Sequence, residues 1–394
     1  MAGRSANPFW GEAWPAVRDL WALDPDVAHL NHGGFGAVPL AVHVRQQTWQ
    51  DRVNGNPTRF YCREFAAEVE RARLICAEFL GADPAGFAFV NNATTGVNGV
   101  VASLPLRPGA QVLVTDHGYG SVIYAMARAC DDAGAELVTV PIPLNAHPAG
   151  IEAAILGAIN DRTALAVVDH ITSPTARRFP VERLIPAFRS LGVPLLIDGA
   201  HVPGMEPVEL DELAPDFWIG NFHKWACAPR GSAGLWVAPR WRERMRSLVV
   251  SWREFEGYPF SYSMIGTNDH SAWLATPEAL AFMTRLGWEE VREHNIALVG
   301  YGQRVIAEAL GVDPDELVAE PRLSMRPLPL PGGAGATRVE AEALMERVAN
   351  ELAVETVISS WNGVGLLRLS AQVYNCPVDY QRLADGLPRI LATA

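Results

Sequence analysis

The sequence predicts an α/β protein: a mostly parallel, doubly wound sheet in a large domain, followed by a small α+β C-terminal domain. Three observations carry that prediction. Short apolar runs alternate with helical stretches from Phe87 to Val237, the pattern of parallel strands joined by crossover helices. Polar clusters follow five of the predicted strands directly, at Asn92–Thr95, Asp116–Tyr119, Asp169–Ser173, Asp198–His201 and Asn221–Lys224. Sheets of this kind bind ligands beyond the carboxyl ends of their strands. After Pro239 the alternation stops, and a different arrangement of helices and short strands follows. We place the boundaries at 1–30 for an N-terminal arm packing with the small domain, 31–285 for the large domain and 286–394 for the small one.

Residues 1–30 are rich in Trp and Pro and lead into LNHGGFGAVP at Leu30–Pro39. Gly33, Gly34 and Gly36 there permit close backbone approach or positive φ, and Asn31 and His32 are placed to face a ligand. A helix is expected over Val42–Asp51, ending near the Asn54–Thr58 turn, and an amphipathic helix over Glu64–Leu80, closed by Gly81 and Asp83-Pro84. Phe87–Val90 reads as a strand. Asn91–Leu104 is a small, polar turn opening a helix. Its backbone N–H groups and the Thr94 and Thr95 hydroxyls suit a phosphate, and simple helix capping would use the same residue types.

Strands are then expected at Gln111–Thr115, Glu136–Val140, Thr163–Val168, Pro194–Ile197 and Phe217–Ile219. Helices lie between them, one ending at Gly134 and others at Ile151–Ile159 and Val181–Leu191. Ser232–Val237 reads as an antiparallel strand closing the sheet. Beyond it, Trp241–Val250 is basic and helical. The aromatic stretch Ser251–Trp273 is loop-like, and helices begin at Pro277 and Trp288. Pro327–Gly335 is a Pro/Gly loop. Glu340–Leu352 is a helix, Thr356–Ser360 and Gly365–Ser370 are strands, and Tyr380–Leu391 is a last helix.

A chain of 394 residues with 49% hydrophobic and 19% charged residues can bury a large core. Its net charge of −12 excludes nonspecific nucleic-acid binding, which needs a basic face. Five scattered cysteines share no metal-ligand spacing and read as reduced thiols of a cytoplasmic protein, and no metal is expected. No run of about 18 apolar residues suggests a membrane span, and the N-terminus lacks an apolar signal core.

The chemistry centres on Leu195–Trp225. One buried strand ends in Asp198 and the next delivers Lys224. Alone, Asp198 reads equally as a helix cap and Lys224 as a solvated lysine. Together they suit pyridoxal phosphate. That cofactor needs a lysine for its Schiff base and an acid beside its pyridinium nitrogen, and a desolvated lysine is a usable nucleophile. Arg368 stands among apolar residues, where a substrate carboxylate or an interdomain ion pair would satisfy it.

LNHGGFGAVP, TDHGYG, DHITSPTA, DGAHVPG, NFHKW, GTNDHSAW and RLSAQVYN, in this order, resemble the aminotransferase class V group of fold-type I pyridoxal phosphate enzymes, and within it isopenicillin N epimerase-like proteins. The likeness covers nearly the whole chain. It implies Lys224 as the Schiff-base lysine, Asp198 at the pyridine nitrogen and His201 on the phenolic oxygen. Thr94, Thr95, Asn221 and His223 match the phosphate cup, with Asn221 where serine is usual. Tyr119 matches the residue stacking on the ring, with His117 the alternative. Ser173 lies near the phenolic oxygen, and Thr267 reaches the phosphate of a neighbouring subunit, which makes a homodimer with shared sites the expected assembly. Arg368 matches the clamp for the substrate carboxylate. Asn31 and His32 are taken as further substrate contacts.

The implied activity is chemistry at the Cα of an amino acid through an external aldimine and quinonoid, epimerase-like, in secondary metabolism such as antibiotic biosynthesis. Inversion needs a second acid, for which Tyr119, His117 and His32 stand open. C–S β-elimination on a cysteine S-conjugate, decarboxylation or deamination are the alternatives, with transamination behind them. No cysteine lies between Cys227 and Arg368, so desulfurase chemistry is not expected. A non-catalytic homologue, or a nucleotide-binding protein using Asn91–Gly99, ranks lower, since no GxGxxG or GKS/GKT loop is present.

Overall fold

A computed structural model describes residues 14–318 and 320–393. The first thirteen residues of the expected arm lie outside the described residues. Internal packing divides the chain into two units. One comprises Ala41–Thr172 and Arg178–Phe282. The other comprises the chain up to Leu40, Ser173–Arg177 and Met283 onward.

The larger unit holds a seven-stranded sheet. Its strands are β1 (Phe87–Val90), β2 (Gln111–Thr115), β3 (Glu136–Val140), β4 (Thr163–Asp169), β5 (Leu195–Asp198), β6 (Phe217–Asn221) and β7 (Ala233–Val237). The spatial order is β1-β7-β6-β5-β4-β2-β3. Neighbours from β6 to β3 pair in parallel, while β7 runs against both β6 and β1. Strands β1, β2, β5, β6 and β7 are buried along their whole length, which is why they read as unbroken apolar runs. Val90, Val97, Val114, Leu196, Ile219 and Leu235 pack in one apolar cluster between this sheet and its helices. Trp218 of β6 has glycine on either side of its indole. A Cβ on Gly199 would come within 2.4 Å of the ring, and one on Gly220 within 2.2 Å.

The smaller unit has a three-stranded antiparallel sheet. Its strands are β8 (Met325–Pro329), β9 (Val357–Trp361) and β10 (Val364–Ser370), with β10 in the centre. Helices Trp288–Ala309, Arg338–Leu352 and Pro377–Leu391 supply Leu298, Ile306, Leu344, Leu383 and Ile390 to its core. The short strand Ala28–His29 pairs in parallel with Val354–Glu355.

Four local expectations are corrected. β7 is interior, and β1 is the edge strand that closes the sheet beyond it. Trp241–Val250 is helical only at Pro239–Arg242. The Arg246 N–H goes to the Ser103 hydroxyl and its carbonyl accepts from Tyr262 Oη, at 2.8 and 2.7 Å, so tertiary partners replace the helical ladder. The helix expected from Pro277 begins at Ser271, with Pro277 inside it. Asp269 caps the Ser271 N–H and Trp273 is buried, which anchors the turn ahead of the proline. The Pro-rich stretch expected as loop contributes β8. Prolines 327 and 329 lie two apart, so their missing N–H groups fall on one side of an edge strand. The Pro327 carbonyl on that side accepts from Gln303.

Candidate active site

Within the larger unit the site forms at the carboxyl ends of β4, β5 and β6. Parallel register sets Asp169 beside Asp198, and Asp198 beside Ile219. Both carboxyls are buried. Asp198 Oδ1 accepts the Ala200 N–H at 2.9 Å. Burial raises the Asp198 pKa, while the Ala200 N–H and Lys224 pull it back. Asp169 is raised well above the ordinary carboxyl range, first by burial and then by the neighbouring Asp198. Two carboxyls side by side in a dry site resist ionising together, which is the second cause of the rise at Asp169.

Lys224 follows β6 and is 8% exposed. It is the only lysine in the chain; every other Lys/Arg position is arginine. Its Nζ lies 3.0 Å from His201 Nε2, and the Trp225 indole N–H donates to His201 Nδ1 at 3.2 Å. Lys224 also acts electrostatically on Asp169, Asp198 and His223.

The eleven-residue helix Ala93–Ser103 begins beside these strand ends. Asn221 Oδ1 accepts the Ala93 N–H at 2.9 Å, tying β6 to the helix start. Asn92 caps it, taking the Thr95 N–H and hydroxyl. Among the described residues, the Thr94 N–H and hydroxyl have no protein acceptor. His223 donates Nδ1–H to the Ser232 carbonyl at 3.2 Å. Burial first, then Lys224, lower its pKa to about 4.

Tyr119 stands at the start of the helix Gly120–Ala133, 46% exposed. His117, the alternative ring, is fully buried. Its Nε2 meets the Ile142 carbonyl at 2.8 Å, and its edge packs on Phe179. Thr267 is exposed on an irregular segment.

In the smaller unit a second group forms. Arg368 is 4% exposed and donates to the Ser173 carbonyl at 2.7 Å, to Ser173 Oγ at 3.0 Å and to Asn31 Oδ1 at 3.1 Å. Ser173 and Asn31 are thus gathered around one guanidinium. His32 is fully buried. Its Nδ1 meets Tyr374 Oη at 2.8 Å and its Nε2 the Gln372 amide at 3.3 Å. It belongs to a packed network rather than to an open loop face.

Sequence reasoning included Asp169, Trp225, Gln372 and Tyr374 in its motifs but gave none of them a role. Asp169 had a signal, since two successive predicted strands are each followed by aspartate. The uniqueness of Lys224 was a second signal. Trp225 had none beyond its place after the lysine.

The aminotransferase class V family model matches residues 37–382. The isopenicillin N epimerase of Streptomyces clavuligerus is 32% identical over 95% of this chain and 97% of its own. A putative L-cysteine desulfhydrase of Oryza sativa subsp. japonica is 30% identical over 93% of this chain and 83% of its own. Among solved structures, the cystine C–S lyase C-DES in complex with its product cysteine persulfide superposes with a TM-score of 0.79 at 19% identity, covering 92% of this chain and 98% of its own.

Proposed function

Because the chain belongs to the aminotransferase class V family, whose cofactor is pyridoxal 5′-phosphate, we propose that it is an epimerase-like enzyme acting at the Cα of an amino acid. The observation that carries this is the sole lysine of the chain, buried, 3.0 Å from His201 Nε2 and acting electrostatically on the Asp169 and Asp198 carboxyls. The residues present fit the cofactor. A buried amine and a buried acid stand on neighbouring strand ends, and a helix start nearby leaves the Thr94 donors unused, as a phosphate requires.

Lys224 Nζ is the cofactor's attachment point, Asp198 the partner of its ring nitrogen and His201 that of its phenolic oxygen. Thr94, Thr95, Asn221 and His223 hold the phosphate, with Thr267 serving the phosphate of a partner copy in a homodimer. Pyridoxal phosphate, when bound, supplies an aldehyde that captures the substrate amine and a ring that accepts electrons from a bond broken at Cα. Arg368 binds the substrate carboxylate through its planar fork, held in place by Ser173 and Asn31. Lys224 removes the Cα proton as general base. Tyr119 would stack on the cofactor ring and is the group that returns a proton to Cα. The burial of His117 and His32 in packed contacts supports Tyr119 over both. Five cysteines without a disulfide support a cytoplasmic setting, and the epimerase relative supports a place in antibiotic-type secondary metabolism.

C–S β-elimination is the second reading, supported by the desulfhydrase relative. Incubation with amino acids and cysteine S-conjugates in deuterated water separates the two. Deuterium at Cα with inverted configuration supports the epimerase, pyruvate with a thiol supports the lyase, and neither product from any substrate would sink both.

A further inference from the structure

We propose that Trp225 is a positioning residue that locks His201 in one tautomer, so that His201 donates a proton to the Lys224 nitrogen and holds that amine uncharged. Which atoms can donate decides the arrangement. An indole N–H is a donor only, so the Trp225 Nε1 contact at 3.2 Å makes His201 Nδ1 an acceptor. A neutral imidazole with a bare Nδ1 carries its proton on Nε2. That N–H points at Lys224 Nζ, 3.0 Å away. An ammonium has three donors and no acceptor, so it cannot receive it. Only the neutral amine, with its lone pair, satisfies all three groups. Protonating His201 instead would set an Nδ1–H against the indole N–H.

The lock is rigidly mounted. Trp225 is 2% exposed. Gly204, at φ 95°, lies so close that a Cβ there would sit 2.5 Å from the Trp225 carbonyl carbon. The Gly199–Val202 turn that carries His201 is closed by its own hydrogen bond at 2.8 Å. The groups acting on the amine include the Asp198 and Asp169 carboxyls from two strand ends, whose negative charge favours the ammonium, His201 from the turn after β5, whose Nε2–H opposes it, and His223 beside it in sequence. The fixed Nε2–H is also the donor that an anionic phenolic oxygen of the cofactor calls for, and in that respect the inference deepens the reading of Lys224 and His201 given above.

The single lysine makes the test direct. Full-length protein stripped of cofactor and labelled with ¹³C-lysine and ¹⁵N-histidine gives one side-chain Cε signal and a readable His201 tautomer, assigned by difference against His201→Gln. The expected result is a bare Nδ1, a protonated Nε2 and a neutral amine at pH 7.5. In Trp225→Phe, His201 is released to its other tautomer, and acylation of Lys224 at pH 7.5 slows about tenfold, the worth of one hydrogen bond. A protonated Nδ1 in the parent protein, or an unchanged acylation rate in a folded Trp225→Phe, would overturn the proposal. If Trp225→Phe does not fold, the parent tautomer still decides. A second pair then applies: His201→Gln, which keeps an N–H near Nε2, should retain acylation within about twofold, and His201→Asn should not. Equal rates in that pair overturn the proposal as well. These readings use cofactor-free protein, so they stand or fall separately from whether Lys224 carries the cofactor.

Discussion

Replacing Asp169 by asparagine removes one ionisable proton from the buried pair at the ends of β4 and β5. In the folded chain Asp169 is raised well above the usual carboxyl range, by burial and by Asp198 alongside. In the unfolded chain it titrates near its ordinary value of about 3.9. Above that pH the unfolded chain has released this proton and the folded chain keeps it. A raised carboxyl therefore costs stability as pH rises, from the unfolded value until the folded one is passed. The slope for one proton is about 1.4 kcal/mol per pH unit, or roughly 2.7 kcal/mol over two units within that window. The two carboxyls titrate as a pair, and the variant loses one of its two ionisations. The amide of Asp169→Asn keeps the shape of a protonated carboxyl and titrates nowhere. Urea denaturation of both proteins from pH 5 to 7 should show the variant gaining on the parent as pH rises. A difference that stays flat across that range means Asp169 is ionised in the folded protein, and the paired-carboxyl account fails.

Arg368→Leu should lower kcat/KM by about 30-fold to several thousandfold, the cost of about 2–5 kcal/mol for truncating a buried, hydrogen-bonded charge partner. The visible spectrum of the bound cofactor should not change; a spectral loss would place Arg368 in cofactor binding instead. Tyr119→Phe should still exchange the Cα proton for deuterium but invert configuration about 10²- to 10⁴-fold more slowly, and parallel loss of both would remove Tyr119 as the second acid. Gly199→Ala drives a Cβ to within 2.4 Å of the Trp218 ring. It should cost about 1–3 kcal/mol of stability in denaturant melts, and an unchanged midpoint would mean that the indole moves freely.

Much of the larger unit was readable because buried parallel strands leave short apolar runs ending in polar residues. Asp198 and Lys224 stood out for the same reason. What escaped depended on partners distant in sequence. The Arg246 backbone is claimed by Ser103 and Tyr262, which no local pattern of Trp241–Val250 reveals. The β8 prolines look like loop chemistry until β10 pairs on one side and Gln303 on the other. His32 meets Tyr374 and Gln372 from more than three hundred positions away. The Asp169–Asp198 pairing is a matter of strand register. The tautomer of His201 depends on where one indole N–H points.

The chemistry at Cα depends on the cofactor's attachment to position 224. Borohydride reduction of the loaded protein, followed by peptide mass spectrometry, tests this in a chain with no other lysine. The predicted result is loss of the visible absorption and a phosphopyridoxyl adduct on the peptide containing Lys224. A protein that stays colourless when supplied with pyridoxal phosphate, and yields no adduct at that residue, contradicts it.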